Sequence, residues 1–127
     1  MMELRSSLGR VRGLGSAKEG VGHWWAQRFT AIALVPLSIW FVFAAISLMG
    51  ADYASFRAWI SVFGNALAMI VLVGTLFYHA YLGMQVVIED YVHHEPARVV
   101  ALLGSRFILF VLAVSCILAI VLVAMGR

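Results

Sequence analysis

The chain has 127 residues, of which 64% are hydrophobic and 12% are charged, and its formal net charge is +3. Its mean hydropathy is +0.99, which excludes an ordinary soluble globular domain and indicates an integral membrane protein. Most polar residues fall in the first 28 positions and in two later segments. We therefore expect membrane lipid around the chain and no nucleic-acid partner.

The first 28 residues predict a flexible, basic arm that remains in the mature protein. The segment lacks the apolar core and cleavage site of a secretory signal and leads directly into an apolar run. Glu3, Glu19 and the spacing of the glycines leave no clear amphipathic helix, which disfavours a mitochondrial transit peptide. The cationic residues of the arm are Arg5, Arg10, Arg12, Lys18 and Arg28.

Three apolar runs follow, at about 29–50, 58–88 and 107–125. Each reaches the roughly 20 residues that a helix needs to cross the hydrocarbon core. The sequence therefore predicts an all-α membrane protein whose three transmembrane helices form one domain over residues 29–127. Pro36 should lie inside the first span, and Pro96 should end the second helix, since the residue before a proline avoids the α conformation.

The distribution of Lys and Arg predicts the orientation. The N-terminal arm is basic, the first loop holds Arg57 alone, and the second loop holds Arg98 and Arg106. Cationic loops remain in the cytoplasm, so the N-terminus and the second loop should be cytoplasmic and the C-terminus periplasmic. This layout predicts a multi-pass protein of a bacterial inner membrane, in preference to a mitochondrial one.

The most informative residue is His79, which lies deep inside the second apolar run. Intramembrane ionisable residues are costly and mark functional sites, and imidazole is a common axial ligand of haem iron. A hydrogen bond to a neighbouring helix is the alternative reading. Because His79 is the only histidine deep in a span, a bis-imidazole haem would need its second ligand from another polypeptide. Small or polar residues share its helical face and leave room for a helix or a flat cofactor: Ser61, Ala68, Leu72, Thr75, Gly83, Val86 and Asp90.

Asp90 and Tyr91 follow His79 by eleven and twelve residues, or about 16–18 Å along a helix. A phenol at that depth could hydrogen-bond a quinone carbonyl. The neighbouring Glu89–Glu95 segment is interpreted as a solvated loop that contacts a partner, because the order His93-His94-Glu95 lacks the spacing of a known metal site. Trp24 and Trp25 are interpreted as interfacial anchors.

Two motifs resemble those of the hydrophobic membrane-anchor subunit of succinate dehydrogenase. Residues 79–91, HAYLGMQVVIEDY, match the pattern H-A-x-x-G-x-x-x-x-x-x-D-Y in residue type and spacing. Residues 20–31, GVGHWWAQRFTA, resemble the entry into the first span of that family, with the R-x-T-A motif intact. Together with the three-helix layout, the resemblance covers most of the chain.

The resemblance implies a protein of the citric acid cycle and respiratory chain that carries no catalytic residue of its own. It would pair with a second membrane anchor, share haem b with it, and attach the iron–sulfur and flavoprotein subunits to the membrane. His79 would be one axial ligand of the haem iron. Arg28 would pair with haem propionates, its alternative role being a cationic membrane anchor, and His23, offset by one position from the family pattern, is a further candidate for propionate contact.

For the quinone site, the resemblance implies that Tyr91 donates a hydrogen bond to ubiquinone, the substrate, and that Asp90 orients polar partners beside it. Two other functions remain open. One is the anchor of a fumarate reductase or another quinone-linked respiratory complex. The other is a non-redox small helical membrane protein in which His79 serves packing or proton relay.

Overall fold

The computed structural model describes residues 15–127, with side chains described from Gly20 onward. This part of the chain is all-helical: α1 spans Gly15–Ser47, α2 Tyr53–Ile60, α3 Phe63–Tyr91 and α4 Glu95–Ala124. Three stretches are long and apolar enough to cross a membrane, at Gly20–Ser47 in α1 and over the whole of α3 and α4. The predicted all-α class and three long helices are confirmed. Arg5, Arg10, Arg12 and Glu3 of the predicted arm lie outside the described residues.

Helix α1 begins at Gly15, well before the predicted start of the first span at residue 29. Residues 15–28 are therefore helical, contrary to the flexible arm expected there. Charged residues and glycines indicated a loop in the sequence, yet a helix that extends beyond the hydrocarbon can carry charges, and a glycine costs it only about 1 kcal/mol relative to alanine. Pro36 lies inside α1, as expected, and the helix continues through it.

The second predicted span, 58–88, is divided between two helices. Ser61 ends α2, and its backbone N–H donates to the carbonyl of Arg57, while the N–H of Val62 donates to the carbonyl of Trp59. Val62 then takes an extended conformation before α3 begins at Phe63. Ser61 consequently does not belong to the His79 face of α3. Its hydroxyl oxygen lies 2.7 Å from the carbonyl oxygen of Arg57 and 3.0 Å from that of Ala124 at the end of α4.

A side-chain cap begins the short helix α2. The carboxylate of Asp52 accepts a hydrogen bond from the backbone N–H of Ser55 over 2.9 Å. Hydrogen bonding to the side chain and backbone of Ser55 lowers the pKa of Asp52. At the other end of this segment, the indole of Trp59 stacks on Trp40 of α1 with ring centroids 5.9 Å apart, so α2 is held against the ends of the long helices.

The second loop is much shorter than expected. Helix α3 ends at Tyr91 and α4 begins at Glu95, capped by the Nδ1 atom of His94. Pro96 lies in the first turn of α4, where its missing N–H costs nothing, and so it starts a helix rather than stopping one. Arg98 and Arg106, which were predicted to lie in the loop, are both helical.

The long helices pack with α3 between α1 and α4, whereas α1 and α4 make no substantial contact. The result is a single layer of helices in which few side chains are enclosed. Most large apolar side chains are exposed, as lipid or a neighbouring protein requires. The buried hydrophobic residues among those described are Ala44, Ile60, Leu72, Leu82 and Ile88.

Candidate functional site

His79 faces α1, where Thr30 meets it. The two side chains are joined by a hydrogen bond of 2.8 Å between Thr30 Oγ1 and His79 Nδ1. Both residues are half-buried. His79 Nδ1 is the ring nitrogen that the described residues engage, and Nε2 is not among the enclosed polar atoms that lack a partner. The second nitrogen is therefore not fully enclosed by the described residues.

The hydroxyl of Thr30 is also held by its own helix. Its Oγ1 atom lies 2.8 Å from the carbonyl oxygen of Ala26 and 3.0 Å from that of Gln27. Such back-bonding restricts the side-chain rotamer of a helical threonine. Thr30 thus presents its hydroxyl to His79 from a fixed position.

Further polar residues extend this contact along α1. His23, Gln27 and Thr30 are spaced by four and three residues, so they share one face of the helix. Among the described residues, His23 Nε2 and Gln27 Oε1 are enclosed and have no hydrogen-bond partner. Buried polar atoms normally have a hydrogen-bond partner. The two atoms on this face would therefore gain from a hydrogen-bonding group supplied from outside the described residues.

Gly83 lies opposite Gln27 on α3. A Cβ atom added at Gly83 would lie 3.9 Å from Gln27 Nε2, so α1 occupies the space beside this glycine. The sequence predicted room for a helix or a flat cofactor beside Gly83, and α1 lies there. Gln27 was missed as a site residue because residues 1–28 were interpreted as an arm. The spacing of 23, 27 and 30 would have indicated it in a helix.

Arg28 does not join this polar face. Its guanidinium lies over the ring of Trp24, 5.3 Å from the centroid, and the side chain is exposed. Trp24 also meets Trp25 edge to face at 5.0 Å. Arg28 is therefore near the level of the site but on another side of α1, directed away from the chain.

Asp90 and Tyr91 occupy the last two positions of α3. Both are exposed, and Tyr91 retains 79% of its accessible surface. The rise of the helix separates them from His79 by about 16–18 Å. The structure does not bring them into contact with His79, Arg28 or His23, so they form a second location on the same chain.

The polar segment after Tyr91 is organised by local contacts. Gln85 donates to Glu89 over 3.1 Å, and Arg98 pairs with Glu95 one turn further on. Within residues 20–127, no three His, Cys, Asp or Glu side chains form a group that could hold a metal ion. A haem iron that takes one imidazole from each of two chains does not require such a group.

A lipid-facing groove of about 700 Å³ lies on the other side of α3, between α3 and α4. Its walls are mostly apolar and include Phe107 and Phe110. At its edge the guanidinium of Arg106 lies 5.8 Å from the ring centroid of Tyr81. Tyr81 and His79 are on different faces of α3, so the groove is separate from the Thr30–His79 contact.

Comparison with known proteins decides the family. Residues 2–122 match the family described as the succinate dehydrogenase/fumarate reductase transmembrane subunit. The chain belongs to this family. The resemblance carried by residues 79–91 and 20–31 is thereby confirmed.

Relatives of known name agree with the family. The chain is 32% identical to the succinate dehydrogenase hydrophobic membrane anchor subunit of Rickettsia bellii, over 93% of this chain and 94% of the relative. It is 30% identical to the protein of the same name from Rickettsia conorii, over 94% and 90%. It is also 35% identical to the succinate dehydrogenase membrane anchor subunit of Reclinomonas americana, over 72% and 78%. No solved structure matches the chain.

The family and the helices together establish a membrane anchor of this enzyme class. Three helices within residues 20–127 are suited to span the bilayer, and the Rickettsia relatives agree with the expected bacterial inner membrane.

Proposed function

We propose that this chain is the hydrophobic membrane anchor of a succinate:ubiquinone oxidoreductase and supplies one axial ligand, His79, to a haem b shared with a second membrane anchor. The observation that carries the proposal is the Thr30–His79 hydrogen bond. It engages Nδ1 and leaves Nε2 available, as a metal-binding imidazole requires. One histidine at the edge of a single chain fits an iron whose other axial ligand comes from a partner.

Two residues on different sides of α1 are candidates for contact with the propionates of a haem b. The enclosed and unpartnered His23 Nε2 offers a polar contact for a carboxylate. Arg28 offers a permanent positive charge on the exposed side of the same helix, and a guanidinium pairs well with carboxylates. We propose both as propionate contacts. When bound, haem b supplies one-electron transfer, and the residues of this chain hold, orient and electrostatically stabilise it.

Tyr91 and Asp90 are proposed for ubiquinone. An exposed phenol at the end of a membrane helix can donate a hydrogen bond to a quinone carbonyl, and the neighbouring carboxylate can orient the donor. Ubiquinone would receive two electrons from the iron–sulfur protein of the complex and two protons. The proposed orientation has a cytoplasmic N-terminus and second loop, which places Tyr91 on the cytoplasmic side, where the iron–sulfur and flavoprotein subunits would attach.

The experiment that tests the haem assignment is the reduced-minus-oxidised visible spectrum of the purified complex. His79→Ala should remove or shift the α-band of a b-type haem while the subunits still co-purify. His93→Ala is the matched control, because His93 is exposed in the loop after α3, and its spectrum should equal that of the wild type. An intact wild-type complex without haem would contradict the proposal and leave His79 in packing or proton relay.

The family description also includes fumarate reductase. The named relatives are succinate dehydrogenase subunits, which favours that activity for this chain. The direction of flux with succinate or fumarate in the purified complex distinguishes the two enzymes.

A further inference from the structure

We infer that Thr30 is a positioning residue that sets the tautomer and the ring orientation of His79. This inference rests on the proposed function, because the free nitrogen matters only if it binds a metal. Thr30 is not among the residues proposed to contact haem or ubiquinone, and the inference gives it a role of its own.

Thr30 Oγ1 has a single proton but three close neighbours. Two are the backbone carbonyls of Ala26 and Gln27, at 2.8 and 3.0 Å, and carbonyl oxygens can only accept. The third is His79 Nδ1, at 2.8 Å, and a neutral imidazole can donate or accept there. The two carbonyls compete with His79 for the hydroxyl proton of Thr30. This competition determines whether Thr30 or His79 is the donor in the hydrogen bond between them.

If Thr30 donates to His79, both carbonyl contacts lose their proton. If Thr30 donates to a carbonyl of its own helix instead, Nδ1–H donates to the oxygen of Thr30, and the hydroxyl takes part in two hydrogen bonds rather than one. The second arrangement makes more hydrogen bonds in a place where water is scarce, so it is the favoured one. It puts the proton of the neutral ring on Nδ1 and the lone pair on Nε2.

A lone pair on Nε2 is what an iron atom binds. The hydrogen bond at Nδ1 also increases the basicity of the ring and prevents it from rotating about its χ angles. Thr30 would thus prepare the ligand before the cofactor arrives. A more basic axial ligand stabilises the ferric state, so the contact lowers the midpoint potential of the haem.

The test compares Thr30→Val with Thr30→Ser in the purified four-subunit complex. Valine has nearly the shape of threonine without the hydroxyl, and serine restores the hydroxyl without the methyl group. Ser115→Ala is the matched control, because Ser115 also bonds its own helix, at the Val111 carbonyl over 2.7 Å, but on α4. The readouts are haem per complex under limiting haem supply, the low-temperature electron paramagnetic resonance g values, and the midpoint potential.

We expect Thr30→Val to weaken apparent haem affinity about 10- to 100-fold, the usual effect of removing such a supporting contact. Its g values should change and its midpoint potential should rise. Thr30→Ser and Ser115→Ala should match the wild type in all three readouts. If Thr30→Val fails to assemble, judged by the protein bands on a gel, Thr30→Ala replaces it, since alanine also lacks the hydroxyl and is smaller.

Two failures are distinguishable. An assembled Thr30 variant without the hydroxyl but with wild-type haem content, g values and potential would overturn the inference and leave the haem assignment intact. A wild-type complex without haem would instead overturn the proposed function.

Discussion

Tyr91 has the most exposed aromatic ring in the second half of α3, with 79% of its surface accessible. Its hydroxyl makes no hydrogen bond to any side chain or backbone group of residues 20–127. Its hydroxyl is available to a ligand or to another protein of the complex. A substitution that removes only the oxygen should therefore leave the fold of this chain unchanged.

We predict that Tyr91→Phe lowers ubiquinone reduction by about ten- to a hundredfold, roughly the effect of losing one hydrogen bond of about 1.5–3 kcal/mol to a group that gains charge. Haem content and succinate oxidation with an artificial acceptor should remain near wild type. Both activities are measured on the same purified complex. Tyr53→Phe is the control, since Tyr53 is exposed at the start of α2, and equal loss of the two activities in Tyr91→Phe would indicate failed assembly.

At the scale of the helices, the contact between α1 and α3 depends on a glycine. The space beside Gly83 is limited by Gln27 Nε2, 3.9 Å from where a Cβ would lie. That distance is an ordinary van der Waals contact, so one methyl group fits, whereas a larger side chain would have to displace the amide of Gln27. The position of the Thr30 hydroxyl relative to the His79 ring depends on how closely α1 and α3 approach each other.

We predict that Gly83→Ala preserves both stability and haem content, because the methyl group fits and alanine is the better helix former by about 1 kcal/mol. Gly83→Leu should destabilise the complex by about 1–3 kcal/mol, the cost of overpacking, and should lower haem content by moving Thr30 away from His79. Thermal unfolding and the visible spectrum measure the two effects. Wild-type haem in Gly83→Leu would show that the α1–α3 contact does not position the ligand.

The number of long helices was predictable from the lengths of the apolar runs, but their ends were not. Charged residues were interpreted as loops, whereas Arg98 and Arg106 lie in α4, because a helix that leaves the hydrocarbon can continue into water. Pro96 was interpreted as a stop although a proline suits the first turn equally well. The change of direction between α2 and α3 occurs at Ser61 and Val62. Neither residue is a proline or a glycine, so the sequence carried no signal for it.

The residues of the candidate site were predictable to different degrees. His79 could be selected because an ionisable residue within an apolar run is conspicuous, and its role as a ligand stays a prediction. The partnership with Thr30 could not be predicted, since it depends on the relative height and rotation of two helices far apart in sequence. Gln27 could have been found from its spacing to Thr30, had residues 15–28 been treated as helix.

The whole molecule is a single layer of helices with α3 in the middle. The two outer helices carry large exposed apolar side chains, including Phe43 of α1 at 67% and Phe110 of α4 at 66% accessibility. In a bilayer these surfaces face lipid or protein. Under the proposed haem ligation, a second membrane anchor covers the surface beside His79.

We predict that the chain produced alone, in detergent, is less stable than the chain produced together with the second membrane anchor. Association buries surface and stabilises the folded state by mass action. Size-exclusion chromatography with a thermal ramp measures the difference, and haem supply should raise the melting temperature of the pair and not of the single chain. Equal melting temperatures for the chain alone and for the pair would contradict the prediction.

The scarcity of enclosed residues also has an evolutionary consequence. A substitution at Leu72 or Leu82 meets neighbours in the same polypeptide, so compensating changes arise within the same gene. A substitution on an outward face of α1 or α4 meets few neighbours of its own, and where another protein covers that face, its compensation has to come from the gene of that protein. Under the proposed function, the outward faces that contact the second membrane anchor are expected to diverge together with it between lineages.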